Sequence, residues 1–363
     1  MRRVGVVTVG RSDYGIYRPL LRAITQAPDL DLWLYVSGAH LSPLHGNTVA
    51  EIEADGFPIR ARIPITLADD SPASVATTMG LGVLGFSQAF ADQPPDLLVV
   101  LGDRMEMLAA VVATLPFNIP VAHIHGGEAT EGAIDDVIRH SITKMSHLHF
   151  VATETYARRV IQMGEEPWRV HVTGAPALDA CAEMPLLPLA ELEQRVGLPL
   201  KEAPLLVTYH PVTREPEQTE REFDALLAAL RQWEQPIVFT YPNADPGHAH
   251  IIAGIEDFVA AHERAVAVKH LGAQAYFSLM HCAAAMVGNS SSGIVEAASF
   301  ALPVVNIGNR QKGRLRGPNV IDVVGDAQAI LEAIRLAASH GFHSRLMGMQ
   351  NPYGDGRASE RIV

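Results

Sequence analysis

The chain has 363 residues, with 28 Lys and Arg against 40 Asp and Glu, so its formal net charge is −12. Hydrophobic residues make up 48% of it, which is typical of a globular protein and argues against disorder, and the length suggests about two domains. The acidic balance argues against a nucleic-acid-binding protein, because such proteins usually present a basic surface.

Short apolar runs alternate with helical patterns along the first half of the chain. Strands are predicted at residues 4–9, 30–37, 97–101, 120–124, 148–152 and 170–173. Helices are predicted between them, among others at residues 48–55, 105–114 and 135–145. This regular order of strand and helix predicts a parallel, doubly wound sheet.

The second half repeats the plan. Strands are predicted at residues 205–209, 237–241, 284–288 and 303–307, with helices near 220–233, 247–262, 274–282 and 293–300. We therefore predict an α/β protein with two Rossmann-like domains whose parallel sheets face a cleft. The predicted domains are residues 1–176 and 177–345, with a C-terminal segment, 346–363, that packs back on the first domain.

The first predicted strand ends in GRSDYG at residues 10–15, and a helix is predicted to follow. Free N–H groups at a helix N-terminus attract phosphate, and Arg11 would add positive charge there. The glycine spacing fits neither the dinucleotide-binding fingerprint nor the P-loop. The alternative is a tight turn with an exposed arginine and with Asp13 as helix cap.

Two further strands of the first half end in polar segments. Asp103 stands two positions after the strand at 97–101, at the strand end where ligands bind to parallel sheets, although an aspartate there is also a common helix cap. The strand at 120–124 leads into HIHGGE, in which His123 and His125 fall on one face by the period of a strand. Two histidines near carboxylates suit a metal, but no third ligand stands at a diagnostic spacing, so no metal is predicted.

The helix predicted at residues 135–145 begins with two carboxylates. Asp135 and Arg139 lie one turn apart, as do Asp136 and His140. Such pairs are as typical of an exposed helix face as of a catalytic site.

Strand ends of the second half carry another polar set. His210 follows one predicted strand and is held by the next residue, Pro211, while Asn243 follows a second strand. The serines of GNSSSG at 288–293 suit a phosphate group, and the alternative for them is a helix N-cap. Glu296, one turn further, suits a ribose diol.

A basic loop follows the last of these strands. Four cations stand between residues 310 and 316 in an otherwise acidic protein. Such a run suits a diphosphate or an ordinary solvated loop.

Taken in order, these segments resemble the hydrolysing UDP-N-acetylglucosamine 2-epimerases of bacterial sialic acid and legionaminic acid biosynthesis. The similar segments are GRSDYG, LGDRMEML, HIHGGE, IRHSITKMSHLHF, HPVT, GNSSSGIVE and NIGNRQKGRLRG, and they span nearly the full chain. The resemblance implies the two-domain glycosyltransferase-B fold, with the nucleotide sugar bound between the domains.

The resemblance also implies a reaction. The proton on C2 of the sugar is removed and UDP leaves C1, which gives a 2-acetamidoglucal. Water then adds, and C2 is protonated on the opposite face, so that the products are N-acetylmannosamine and UDP. This is a glycosidase-type hydrolase reaction on a nucleotide sugar, and it needs no cofactor.

The resemblance also implies which residues form the site, from their positions in the similar segments. Asp103 and either Asp135 or Asp136 correspond to catalytic carboxylates, with Asp135 preferred, and Arg139 is placed beside them. The implied substrate-binding and UDP-binding residues are Arg11, His40, His210, Asn243, Asn289, Ser290, Ser291, Ser292, Glu296, Arg310, Gln311 and Arg314.

One departure from the family concerns catalysis. Many members carry His-Ile-Glu-Gly-Gly-Glu, whose first Glu acts in catalysis, and here His125 stands at that position. Histidine suits acid–base work near neutral pH. Either His125 takes this role, or Glu128 or Glu131 does.

The predicted partner is a small-molecule nucleotide sugar. UDP-N-acetylglucosamine is the first candidate, and UDP-N,N′-diacetylbacillosamine is the alternative. A non-hydrolysing epimerase, a glycosyltransferase and a nucleotide-sugar sensor without turnover are the other readings. The two cysteines and the lack of a run of ~20 apolar residues predict a cytoplasmic protein that binds neither membrane nor nucleic acid, and we expect a homodimer or homotetramer.

Overall fold

The continuous apolar runs of the sequence form the central strands of two parallel β-sheets in a computed structural model of the chain. The structure describes residues 1–43, 47–65, 71–129, 134–212, 216–242, 247–269 and 271–363. These residues form two units. The first holds the described residues from Met1 to Ala182 together with Tyr353–Val363, and the second holds Glu183–Pro352.

The first unit is built on a sheet of seven described strands in the order β3-β2-β1-β4-β5-β6-β7. Its strands are β1 Arg2–Thr8, β2 Leu30–Ser37, β3 Ile59–Ile63, β4 Leu97–Leu101, β5 Val121–Ile124, β6 Leu148–Val151 and β7 Val170–Val172. Its helices are α1 Arg11–Gln26, α2 Val49–Ala54, α3 Pro72–Asp92, α4 Met105–Thr114, α5 Ile134–Met145, α6 Glu154–Gln162 and α7 Ala177–Glu183.

The second unit has six described strands in the order β10-β9-β8-β11-β12-β13. Its strands are β8 Leu205–Thr208, β9 Ile237–Thr240, β10 Ala265–Val268, β11 Ala285–Gly288, β12 Val304–Ile307 and β13 Val320–Val323. Its helices are α8 Leu189–Val196, α9 Pro216–Leu230, α10 His248–Ala261, α11 Gly272–Cys282, α12 Ser291–Val295, α13 Ala327–Ala337 and α14 His340–Leu346.

The central strands are buried on both faces, as expected for parallel sheets covered by helices. In β1, Val6 and Val7 are both fully buried, and in β8 so are Leu205 and Leu206. The pairing is parallel throughout both sheets. The predicted class, two doubly wound α/β domains, is therefore confirmed.

The C-terminal segment returns to the first unit and ends in the helix α15 Ala358–Ile362. The carboxylate of Asp179 accepts hydrogen bonds from the backbone N–H groups of Ala358 and Ser359, at 2.8 and 2.6 Å. The hydroxyls of Tyr156 and Tyr353 also bond, at 2.9 Å. The two bonds to Asp179 satisfy N–H groups that α15 leaves open at its start.

None of the helices in the described part of the chain is both long and apolar enough to cross a lipid bilayer.

Candidate functional site

Asp103 and His125 emerge side by side from the first sheet, because β4 and β5 are hydrogen-bonded neighbours with Leu101 opposite Ile124. The ladder continues one residue past β4, since Gly102 N–H donates to the Ile124 carbonyl at 2.9 Å. Gly102 has a φ of +74°, which glycine adopts at little cost. This turn directs the chain from β4 into Asp103.

Arg139 of α5 connects these two strand ends. Its guanidinium pairs through Nη2 with Oδ2 of Asp103, and its Nη1 donates to the Glu128 carbonyl at 3.1 Å. The Arg139 side chain is only 3% exposed, so it acts from a largely dehydrated position, where ion pairs are stronger than in water. Asp103 does not cap α4, whose N-cap residue is Arg104.

The start of α5 brings a second carboxylate to the pair. Oδ1 of Asp136 lies 4.0 Å from Nη1 of Arg139, and Oδ2 lies 3.6 Å from Nε2 of His140. Asp135, preferred from the sequence, is exposed at the first turn of the same helix. The geometry thus brings Asp136 to the guanidinium directly.

His125 and Glu128 form the other part of this group. Nδ1 of His125 lies 2.6 Å from Oε1 of Glu128, and the two side chains are 14% and 5% exposed. With the proton on Nδ1 donated to this carboxylate, Nε2 of the neutral ring is available as a base. His125 has a φ of +65°, a backbone conformation that is uncommon outside glycine and often marks a functional position. We refer to Asp103, His125, Glu128, Asp136 and Arg139 as the Asp103 cluster.

His123 is not part of the Asp103 cluster but contacts Gly102, the residue before Asp103. It is fully buried, with Nε2 2.8 Å from the Gly102 carbonyl and Nδ1 3.2 Å from the Thr143 hydroxyl. Burial lowers the pKa of His123 to about 3, because the charged ring would lose its hydration. A neutral ring with Nε2–H donating to Gly102 fits both contacts. No group of three or more His, Cys, Asp or Glu side chains suited to a metal ion occurs among the described residues.

Arg11 and His40, two predicted substrate residues of the first unit, differ in their exposure to solvent. Arg11 is exposed at the start of α1 and pairs with Glu51 at 3.0 Å. His40 is fully buried, with Nε2 3.0 Å from the Thr8 hydroxyl and Nδ1 2.7 Å from the Thr48 hydroxyl. Burial lowers the pKa of His40 to about 4, and both ring nitrogens are engaged within the protein.

Asp13, considered as a helix cap from the sequence, has another role. Its carboxylate accepts the Thr8 hydroxyl at 2.6 Å and the Val9 N–H at 2.9 Å, and the N-cap residue of α1 is Gly10. The carboxylate is buried, which raises the pKa of Asp13 to about 6. Asp13 therefore ties the first turn of α1, which begins at Arg11, to the end of β1.

In the second unit, Asn289 joins two strand ends. Its Oδ1 accepts the His210 N–H at 2.7 Å and its Nδ2 donates to the His210 carbonyl at 2.8 Å. The preceding Gly288 has a φ of +139°, and a Cβ there would lie 1.9 Å from the Thr208 carbonyl oxygen. Only glycine allows this close approach of β11 to β8.

The basic loop after β12 closes on the same asparagine. Nη1 of Arg310 and Nε2 of Gln311 donate to the Asn289 carbonyl, at 3.2 and 2.9 Å. His210 is largely buried, and this burial together with the charge of Arg310 lowers the pKa of His210 to about 3. We refer to His210, Asn289, Arg310 and Gln311 as the Asn289 cluster.

The serine segment forms the next contact. Ser290 is the N-cap residue of α12 and accepts the Ser292 N–H at 3.4 Å. The Ser292 hydroxyl lies 2.9 Å from that of Ser290 and 2.7 Å from that of Tyr276. Ser291 is exposed and Glu296 partly exposed at the end of α12. Ser290 is thus confirmed as a helix N-cap residue. Ser291 and Ser292 bring two further hydroxyls next to it.

The remaining predicted residues are Arg314, Asn243 and Glu131. The carbonyl of Arg314 accepts Nη1 of Arg316 at 2.8 Å, inside the basic loop. Asn243 and Glu131 lie outside the described residues. Sequence reasoning missed Arg159, which donates to the Gly127 carbonyl, and Tyr276. Both belong to helices whose pattern carries no motif, so only the folded contact identifies them.

The comparisons with known proteins agree on one family. The profile of the UDP-N-acetylglucosamine 2-epimerase family matches residues 22–363. The chain is 40% identical over 361 residues to the UDP-N,N′-diacetylbacillosamine 2-epimerase (hydrolyzing) of Legionella pneumophila, covering 99% of this chain and 94% of that protein. It is 43% identical over 323 residues to the GDP/UDP-N,N′-diacetylbacillosamine 2-epimerase (hydrolyzing) of Campylobacter jejuni, covering 88% and 84%.

A solved structure shares the fold. The UDP-GlcNAc 2-epimerase from Neisseria meningitidis bound to UDP-GlcNAc superposes with a TM-score of 0.84 at 18% identity, over 100% of this chain and 98% of that chain. The predicted glycosyltransferase-B type of fold is thereby confirmed.

Proposed function

Because the chain belongs to the UDP-N-acetylglucosamine 2-epimerase family, and within it to the hydrolysing 2-epimerases, we propose that it acts on UDP-N,N′-diacetylbacillosamine. UDP-N-acetylglucosamine is the second candidate substrate. The observation that carries the proposed chemistry is the Asp103 cluster, in which carboxylates and an imidazole gather around one buried guanidinium.

The proposed reaction is an elimination followed by hydration. A base takes the proton from C2, the C1–oxygen bond breaks, and UDP leaves with the bonding electrons. The resulting glycal adds water at C1 and receives a proton at C2 on the opposite face. The balance is one nucleotide sugar plus one water, giving UDP and the free 2-epimer.

The proton transfers are assigned to the Asp103 cluster. Inversion at C2 requires two groups, one that removes a proton and one that returns it from the other side. Asp103 supplies a carboxylate held in place by Arg139, and His125 supplies an imidazole whose Nδ1 is held by Glu128 at 2.6 Å. The contact of Asp136 with Arg139 supports it as the further carboxylate, and Asp135 remains the alternative from the sequence.

UDP binding is assigned to the second unit. Arg310, whose Nη1 bonds to the Asn289 carbonyl, brings a guanidinium to this cluster, and the charge and planar donor geometry of a guanidinium suit a diphosphate. The hydroxyls of Ser290 and Ser292 and the ring of His210 supply neutral hydrogen-bonding groups. Positive charge opposite the leaving diphosphate stabilises the charge that develops as it departs.

The choice of sugar rests on the relatives. The two proteins at 40% and 43% identity are named for N,N′-diacetylbacillosamine. The second candidate is favoured by a relative named UDP-N-acetylglucosamine 2-epimerase, from Neisseria meningitidis, at 33% identity over 342 residues.

A steady-state assay of free UDP tests the choice of sugar. Both UDP-sugars are supplied separately to the purified chain over a range of concentrations, and kcat/KM is compared. We expect the diacetylbacillosamine substrate to be preferred by at least about tenfold, which corresponds to roughly 1.4 kcal/mol in transition-state binding. Preference for UDP-N-acetylglucosamine would reassign the substrate and leave the reaction type unchanged.

A further inference from the structure

A cavity of about 630 Å³ lies in the second unit, at the carboxyl ends of β12 and β13 and beside the start of α9. Its walls include Gln218 and Arg221 of α9, and Asn309 and Lys312 of the loop that follows β12. Ligands of open α/β sheets bind at carboxyl ends of strands, and this volume is that of a small-molecule site. The function proposed above does not use this cavity.

The carboxylates of the cavity are already held by donors in its wall. Glu222 is buried and accepts the Tyr209 hydroxyl at 3.0 Å and Nε2 of Gln218 at 2.9 Å. Asp322 accepts Nε of Arg316 at 3.1 Å and Nδ2 of Asn306 at 2.6 Å. Because both carboxylates already accept hydrogen bonds from the protein, neither requires a cationic ligand.

The remaining charge of the lining is positive. Arg221 is 77% exposed, and its ion-pair partner Glu217, at 3.4 Å, is 90% exposed, so that this pair is worth little in water. Because Arg316 already pairs with Asp322, the rest of the lining holds two cations, Arg221 and Lys312, against the single carboxylate of Glu222. In a chain of net charge −12, this local excess favours an anion.

Two glycines let the Glu222 side chain pack closely into one wall of the cavity. A Cβ on Gly308, whose φ is +71°, would lie 2.4 Å from Oε2 of Glu222, and one on Gly325 would lie 2.2 Å from its Cγ. Any side chain at either position would collide with Glu222 and displace it. The buried carboxylate and its two glycines therefore form a fitted wall.

Both walls of the cavity continue into the Asn289 cluster. The Tyr209 that donates to Glu222 is covalently followed by His210, which bonds to Asn289 through its backbone. The loop that lines the other wall carries Arg310 and Gln311, which bond to the Asn289 carbonyl. A ligand that orders this loop would therefore alter the position of the groups assigned to UDP.

We propose that this cavity binds a small anionic metabolite, phosphorylated or carboxylated, and that occupancy changes the affinity of the Asn289 cluster for UDP. The second part rests on the proposed function, because it takes the Asn289 cluster as the UDP site. Coupling of this kind is reciprocal, so UDP would change the affinity of the anion by the same factor.

Three hexoses of similar size test the binding. Glucose 6-phosphate, glucuronate and glucose are titrated into the full chain by calorimetry, with and without saturating UDP. We expect one of the two anions to bind in both conditions, with a Kd that differs between them, and glucose not to bind; the same Kd with and without UDP would overturn the coupling. Glucose 6-phosphate alone identifies a phosphate ligand, and glucuronate alone identifies a carboxylate.

Two variants locate the binding site. Arg221→Gln should weaken the anion about tenfold, as expected for loss of one charge-assisted contact, and Val324→Trp should abolish binding by filling the cavity. Val324 is 69% exposed, so this change leaves the core intact. The control is Arg335→Gln on α13, an exposed cation away from the cavity, which should bind the anion normally.

Several results would overturn the proposal. Displacement of the anion by UDP at one-to-one stoichiometry would assign it to the UDP site. Unchanged binding in both Arg221→Gln and Val324→Trp, or no binding of either anion, would exclude the cavity. Absence of UDP binding would instead remove the proposed function, and the anion titrations would still decide the cavity.

Discussion

The carboxylate of Asp103 pairs with the buried guanidinium of Arg139, although the two residues lie 36 positions apart in the chain. The same guanidinium donates to the Glu128 carbonyl at 3.1 Å. One side chain of α5 thus holds the loop after β4 and the loop after β5 together. This arrangement gives Asp103 a fixed position, as acid–base catalysis requires.

The first prediction concerns Asp103. Asp103→Asn keeps the shape and removes the basic carboxylate, so kcat should fall by roughly 10²–10⁴-fold, the usual contribution of a positioned acid or base. UDP affinity, measured by calorimetry, should change less than about threefold. A large loss of UDP affinity with normal kcat would place Asp103 in nucleotide binding instead.

The second prediction separates the two aspartates at the start of α5. Asp136 lies 4.0 Å from Arg139, whereas Asp135 is exposed. Asp136→Asn should therefore lower kcat by at least about tenfold more than the matched control Asp135→Asn. The opposite order in the same assay would return the catalytic role to Asp135.

The third prediction concerns His125 and its carboxylate partner. If Nε2 of His125 exchanges the proton, His125→Gln should lower kcat by roughly 10²-fold or more. Glu128→Gln keeps a hydrogen-bond acceptor for Nδ1 and should cost less. Near-normal turnover of His125→Gln would transfer the role to a carboxylate.

The fourth prediction uses the pKa of His123. Burial lowers this pKa to about 3, while an unfolded histidine titrates near pH 6.5. As the pH falls below about 6.5, the unfolded chain binds a proton that the folded chain excludes, so stability is lost toward acid. Between pH 7 and pH 5 this amounts to about 2 kcal/mol.

Urea unfolding at pH 7 and pH 5 measures this loss. His123→Gln should show a decrease about 2 kcal/mol smaller than that of the parent chain. The control is His340→Gln, an exposed histidine of α14, which should retain the full decrease. Equal decreases in the parent chain and in His123→Gln would show that His123 is charged in the folded state.

The central strands could be predicted from the sequence because burial on both faces requires continuous apolar runs. The predicted strands agree with β1, β2, β4 to β9, β11 and β12 within two residues at each end. The strands that were not predicted, β3, β10 and β13, are all at sheet edges. In β3, IRARI, exposed arginines alternate with half-buried residues, so no apolar run marks it.

Other elements lacked a sequence signal of their own. The long α3 contains no charged residue before Asp92. Its sequence therefore lacks the alternation of charged and apolar faces by which a surface helix is predicted. The predicted helix at 293–300 is instead the short α12 followed by a 3₁₀ turn at Ala297–Phe300. Local pattern does not distinguish such a break from a continuous helix.

The candidate residues were predictable as a set and their contacts were not. Strand-end position identifies Asp103, His125 and Asn289, because parallel strands bring their carboxyl ends to one edge. The partner of Asp103 is Arg139, which the helical spacing had paired with Asp135. Contacts between segments far apart in sequence depend on the packing of α5, which no local pattern specifies.

An NMR time course in deuterated water tests whether the chain catalyses elimination followed by hydration. UDP-N,N′-diacetylbacillosamine and UDP-N-acetylglucosamine are supplied separately to the chain. We expect free UDP and a free 2-epimer that carries deuterium at C2. Formation of a UDP-linked 2-epimer without free UDP, or release of the sugar with its original C2 configuration and hydrogen, would contradict it.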